Sequence, residues 1–168
     1  GLKAAEKMHK AVDLDADAKA AFKYLNNNED LTKENVFYLI FKANGSRQIK
    51  ASDPAGTIEY LKAAKFIHQE VSKDSEALAA FMYLTGGDVS YLIYKADGNK
   101  QAYWNNPAAT IEYLKAAMSM YQAVSKDIDA MKAFEFLTKE YFTKETVSYL
   151  IYKVDGSKQA NWNNPTEA

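Results

Sequence analysis

The chain has 168 residues, no cysteine and a formal net charge of −1. The missing cysteines exclude disulfides, thiolate nucleophiles and thiolate metal sites, and so even a charge balance gives no electrostatic reason to bind nucleic acid or an anionic membrane. Twelve tyrosines argue against disorder, the length suffices for one domain with a core, and no apolar run approaches the roughly 18 residues of a membrane span.

The first predicted element begins at Leu2 in LKAAEKMHKAVDLDADAKAAFKYL, and this stretch recurs. LKAAKFIHQEVSKDSEALAAFMYL starts at Leu61 and LKAAMSMYQAVSKDIDAMKAFEFL at Leu114, aligned over 24 residues without a gap. Each copy predicts two helices. In the longer one, Leu61, Ala64, Ile67 and Val71, matched by Leu114, Ala117, Met120 and Val124, are spaced by three and four and form one apolar stripe. Asp53-Pro54 and Asn106-Pro107 mark its start: the Asp or Asn oxygen caps the first turn, and proline gives up an N–H that has no partner there. The shorter helix follows Ser72 or Ser125. Asp15, Asp74 and Asp127 are expected in its first turn, where a negative charge suits the helix dipole. Its stripe of Ala77, Ala80, Phe81 and Leu84 offers small residues against which a neighbouring helix can pack closely.

A third element follows in each copy: VFYLIFKANG, VSYLIYKADG and VSYLIYKVDG. Val36, Leu39 and Ile40, like Val89, Leu92 and Ile93, have helical spacing. Thr32 and Thr143 stand where an N-cap belongs, and Lys42, Lys95 and Lys153 precede a glycine at a C′ position. These signs favour a short helix. The competing reading is a β-hairpin over 89–104 and its equivalents, which would make the fold α+β. From Gly45, Gly98 or Gly156 the chain reaches Pro54, Pro107 or Pro165 in nine residues every time, whereas the stretch between Leu25 and Val36 is six residues longer than that between Leu84 and Val89. Insertions are thus expected on one exposed face only.

The expected fold is all-α: one domain, 1–168, of tandem helical repeats with about three helices per unit of 53–59 residues. The units are 2–53, 54–106 and 107–164, and 165–168 begins a further one. Such units bury their apolar faces by stacking, either as an open array or as a closed pseudo-threefold arrangement.

No catalytic constellation is legible. His9 and His68 occupy one aligned position that is Tyr121 in the third copy, which suits an aromatic packing site with a polar tip. No phosphate-binding glycine motif, zinc signature or Ser-His-Asp arrangement exists, and NNNEDLTKEN (26–35) lacks the glycine of a calcium loop. No enzyme activity, cofactor or metal is therefore expected. The best ligand candidates are Tyr103, Trp104, Asn105, Trp162 and Asn163, because an indole stacks on the apolar face of a sugar while amides bond its hydroxyls. The alternative places each Trp against the helix that follows, as a hydrophobic staple; the first copy has Ala51 there.

Three functions fit. One is a non-catalytic interaction or scaffolding module, excised or processed from a longer bacterial surface or secreted protein, with a protein partner and an extracellular or cell-surface location; cytoplasmic helical arrays read alike. The second is a carbohydrate- or cell-wall-binding module with a cell-surface glycan partner at the Trp/Asn loops. The third is a structural subunit that self-assembles head to tail, since NNPTEA at the end and GLKAAEK at the start read as two parts of one long helix.

Overall fold

Proline after an aspartate or asparagine is where the longest helices begin. In a computed structural model describing residues 1–168, the α-helices are α1 (Leu2–Asp13), α2 (Ala16–Leu25), α3 (Pro54–Ser72), α4 (Ser75–Thr85), α5 (Pro107–Ser125) and α6 (Ile128–Thr138). The Asp53 carboxylate accepts from the Gly56 N–H (2.9 Å) and the Asn106 side chain from the Ala109 N–H (3.1 Å), capping α3 and α5. The Ala168 N–H donates to the Asn164 carbonyl (3.2 Å), as Thr57 does to Asp53 and Thr110 to Asn106. Asn164-Pro165 thus opens a turn of the same kind.

The aspartates before the shorter helices lie one step earlier than expected. Asp15, Asp74 and Asp127 are the N-caps themselves, accepting from the N–H groups of Ala18, of Glu76 and Ala77, and of Asp129 and Ala130. The carboxylate therefore bonds the free N–H groups directly, besides complementing the helix dipole.

The third element is a short helix, as its spacing predicts, and of the 3-10 kind. Asn35–Leu39, Val89–Leu92 and Thr146–Leu150 are 3-10 turns, not α-helices. After each turn the chain reverses through one antiparallel bridge: Phe41 with Arg47, Tyr94 with Lys100, Tyr152 with Lys158. Each bridge is isolated, so the α+β alternative is not the observed class; the protein is all-α and has no sheet. The reason is local. The reversal takes the backbone groups a longer helix would need, with Lys42, Lys95 and Lys153 donating to Ser46, Asn99 and Ser157 (each 2.7 Å). The glycines of the reversals, Gly45, Gly98 and Gly156, hold φ at +86°, +88° and +86°, where a Cβ is strained. Gln48, Gln101 and Gln159 then donate from Nε2 back to the carbonyls of Tyr38, Tyr91 and Tyr149 (3.1–3.2 Å), locking each turn.

Thr32 and Thr143 are not the N-caps, which are Glu34 and Glu145, but their Oγ1 atoms accept from the N–H of Asn35 and of Thr146 (both 3.0 Å) at the start of each turn. The insertion-tolerant stretch is thus an exposed loop, held by Asn35 donating to the Asp30 carbonyl (2.7 Å).

Two apolar clusters form the core. The smaller joins α1, α2 and the first 3-10 turn through Met8, Val12, Phe22, Val36 and Ile40, and it includes Leu61 from α3. The larger takes Ala64, Ile67 and Val71 of the same α3 together with α4, α5 and the later turns. Helix α3 therefore divides its stripe between both clusters. No helix is long and apolar enough to cross a membrane.

Candidate functional site

Two helix junctions share one construction. Helix α2 lies against α3, and α4 against α5. At the first, buried Ala18 and Ala21 let the helices approach, and the Lys62 ammonium reaches the Asp15 carboxylate (2.8 Å). At the second, Ala77 and Ala80 play that part and Lys115 reaches Asp74 (2.9 Å), with Glu76 at 3.9 Å. The lysine hydrogen bond, then the cap bond from Ala18 or Ala77, hold the Asp15 and Asp74 carboxyls below the usual range.

A cleft of about 620 Å³ opens where the first two reversals face each other across the start of α3. Tyr38, Tyr91, Tyr60 and Tyr94 line it, and so do Lys42, Lys50 and Lys95. Its one carboxylate, Asp88, is occupied, accepting from the Ser90 N–H (3.0 Å) and hydroxyl (2.6 Å) at the cap of the second 3-10 turn. Tyr94 is 7% exposed, stacks on Tyr60 with ring centroids 5.7 Å apart, and has the Lys50 ammonium 5.8 Å from its ring centre. Its hydroxyl is the one buried side-chain polar atom without a hydrogen-bond partner. Burial, helped by Glu59 and Asp53, pushes that hydroxyl up to about 12, so it is a neutral donor at ordinary pH.

Tyr103, aligned with Lys50, behaves differently. It is buried, stacks on Tyr113 (4.7 Å) and lies tilted against Tyr152 (5.9 Å), filling with a ring the place that Lys50 leaves open beside Tyr94. Trp104 and Trp162 are half-buried and packed on the larger cluster, while Asn105 and Asn163 are exposed beside them. Over each indole lies an ammonium: Lys100 at 3.9 Å from the Trp104 centroid and Lys158 at 4.1 Å from that of Trp162. The same lysines ion-pair with Glu59 and Glu112 on α3 and α5. Indole, lysine and glutamate thus form a clamp between each reversal and the long helix before it. In the first unit Arg47 takes the lysine's aligned place and lies over Phe41 (5.9 Å), while Ala51, at the Trp position, is buried in the smaller cluster.

The five residues that sequence singled out are therefore not one constellation: one is core, two are clamp rings and two are exposed amides. The aligned position of His9 and His68 is aromatic packing at His68, which sits edge-on to Phe81 and shares a hydrogen bond with the Tyr24 hydroxyl (2.7 Å). The third copy puts Tyr121 there, stacked on Phe142. The cleft and the clamps were missed by sequence reading; for the clamps the aligned Lys100/Lys158 and Glu59/Glu112 were the available signal. Compared with models of protein families, with curated proteins and with solved structures, the chain shows no significant match.

Proposed function

We propose that the protein is a non-catalytic interaction module of tandem helical units stacked as an open array, and that the cleft between the first two reversals docks an extended, acidic segment of a partner protein. The observation that carries this reading is the composition of the cleft: three lysines and four tyrosines line it, and its single carboxylate is already engaged. Tyrosine gives a large contact area at low entropic cost, and lysines select carboxylates. The recurring α2–α3 and α4–α5 construction supports the stacking. The capping role of Asp88 supports a binding rather than a catalytic use of the cleft.

Selection of a displayed peptide library on the immobilised protein tests the reading. Acidic peptides should emerge, and their binding should be lost in Lys50→Tyr, which copies the ring that Tyr103 places at the aligned position, and in Lys42→Glu/Lys95→Glu. Selected peptides that ignore both changes, or no selected peptide, would refute it. A glycan at Trp104 and Trp162 is the second reading, favoured by exposed Asn105 and Asn163; it requires Lys100 and Lys158 to leave the indole faces.

A further inference from the structure

The junctions between successive units hold their tyrosines alike. At the first, Tyr60 of α3 stacks on Tyr94 of the second reversal, with ring centroids 5.7 Å apart and planes 17° from parallel. At the second, Tyr113 of α5 stacks on Tyr152 of the third reversal, at 5.8 Å and 19°. The connector beside each pair is pinned in the same way. The Lys50 carbonyl accepts from the Thr57 hydroxyl (2.9 Å) and the Asp53 N–H (3.0 Å); the Tyr103 carbonyl accepts from the Thr110 hydroxyl (3.2 Å) and the Asn106 N–H (2.9 Å). Positions 50 and 103 thus share one backbone anchorage and differ in the side chain. The Tyr103 ring lies 4.7 Å from the Tyr113 ring, and Tyr113 is buried. The Lys50 ammonium lies over Tyr94 instead, and Tyr60 stays half-buried, lining the cleft.

We infer that the cleft takes an aromatic side chain of the docked segment, its ring against Tyr60 in the place that Tyr103 fills against Tyr113 at the next junction, with Lys42, Lys50 and Lys95 meeting carboxylates on either side of it. The second junction supplies the template: a ring is what the stacked tyrosine pair accepts when the connector provides one. Stacking favours a ring over an aliphatic group, because the negative face of one aromatic system attracts the positive edge of another. The cleft is walled by the first connector, the start of α3 and the two reversals, and Tyr94 is the one ring that stacks on Tyr60. The inference rests on reading the cleft as the site of an acidic segment, and it names the residue type that anchors that segment.

Isothermal titration with two capped pentapeptides, Glu-Glu-Tyr-Glu-Glu and Glu-Glu-Leu-Glu-Glu, tests it on the 168-residue chain. The tyrosine peptide should bind roughly tenfold or more tighter than the leucine peptide. Lys50→Tyr should lose the tyrosine peptide and melt higher than wild type, because its own ring takes the place. Lys50→Ala should weaken both peptides by a similar factor, since it removes a charge and leaves the ring site open. Equal affinities for the two peptides overturn the inference. So do a preference lost in Lys50→Ala, tyrosine-peptide binding that survives Lys50→Tyr, and a Lys50→Tyr variant that melts lower than wild type. Equal binding that disappears in Lys42→Glu/Lys95→Glu refutes only the ring site and leaves the acidic-segment reading in place. If neither peptide binds, the inference falls and the library selection decides that reading.

Discussion

Truncating one aligned leucine in three places should give three different costs. Leu114 is fully buried in the larger cluster, Leu61 is 1% exposed in the smaller one, and Leu2 is 82% exposed although the sequence around all three reads Leu-Lys-Ala-Ala. Leu114→Ala removes buried methyl groups and leaves a cavity whose cost is about 2–5 kcal/mol. For a chain of this size, each kcal/mol lowers the melting temperature by about 2–4 °C, so the expected drop is roughly 5–20 °C. Leu61→Ala belongs to the same range, since its side chain closes the smaller cluster against α2. Leu2→Ala removes nothing from the core of a single molecule and should stay within about 0.5 kcal/mol of wild type. The assay is thermal unfolding followed by circular dichroism. Equal costs at Leu2 and Leu114, or a Leu114→Ala cost below about 1 kcal/mol, would refute the assignment of these helices to their clusters.

Two further outcomes follow from single groups. Burial lowers the His68 pKa below 6.5, so the unfolded chain binds more protons than the folded one between the two values. The stability from neutral His68 is complete above about pH 6.5 and is lost as pH falls through the lowered value, so the urea midpoint should drop more for wild type than for His68→Tyr between about pH 7 and 5; identical slopes would contradict the burial. Gly98→Ala places a Cβ at φ +88° and should cost about 1 kcal/mol through strain alone, because only the Ile49 side chain lies within 4 Å, at 3.7 Å; an unchanged midpoint in urea titration would exclude the reversal geometry.

The helices were legible because their signals are local. Asp53-Pro54 and Asn106-Pro107 mark starts by cap chemistry, and Leu61, Ala64, Ile67 and Val71 reveal a buried stripe by spacing alone. The third element was not legible in type. Leu92, Ile93 and Tyr94 are consecutive and all buried, which suits a tight turn followed by a reversal as well as a short helix. What decides it is a hydrogen bond from Gln101 to Tyr91, ten residues away, of which the sequence shows only an aligned glutamine. The burial of Tyr103 was not legible, because its aligned positions hold Lys50 and Asn161 and no periodic signal marks it as core. The Trp–Lys–Glu clamps join residues about forty positions apart, and one sequence carries no record of such pairs beyond charges of opposite sign. The cleft is harder still, since it consists of what Lys50 fails to fill.

The most direct test of stacked, interchangeable units is to remove one. Deleting residues 54–106 joins Asp53 to Pro107, keeps the cap and the nine-residue connector, and sets α2 against α5 with Asp15 opposite Lys115 in place of Lys62. Guanidinium unfolding of this variant should show a helical protein that unfolds in one cooperative transition, with an m-value of about two-thirds of the wild-type value, as expected when the exposed surface scales with chain length. A variant without helical signal or without a cooperative transition would contradict the account.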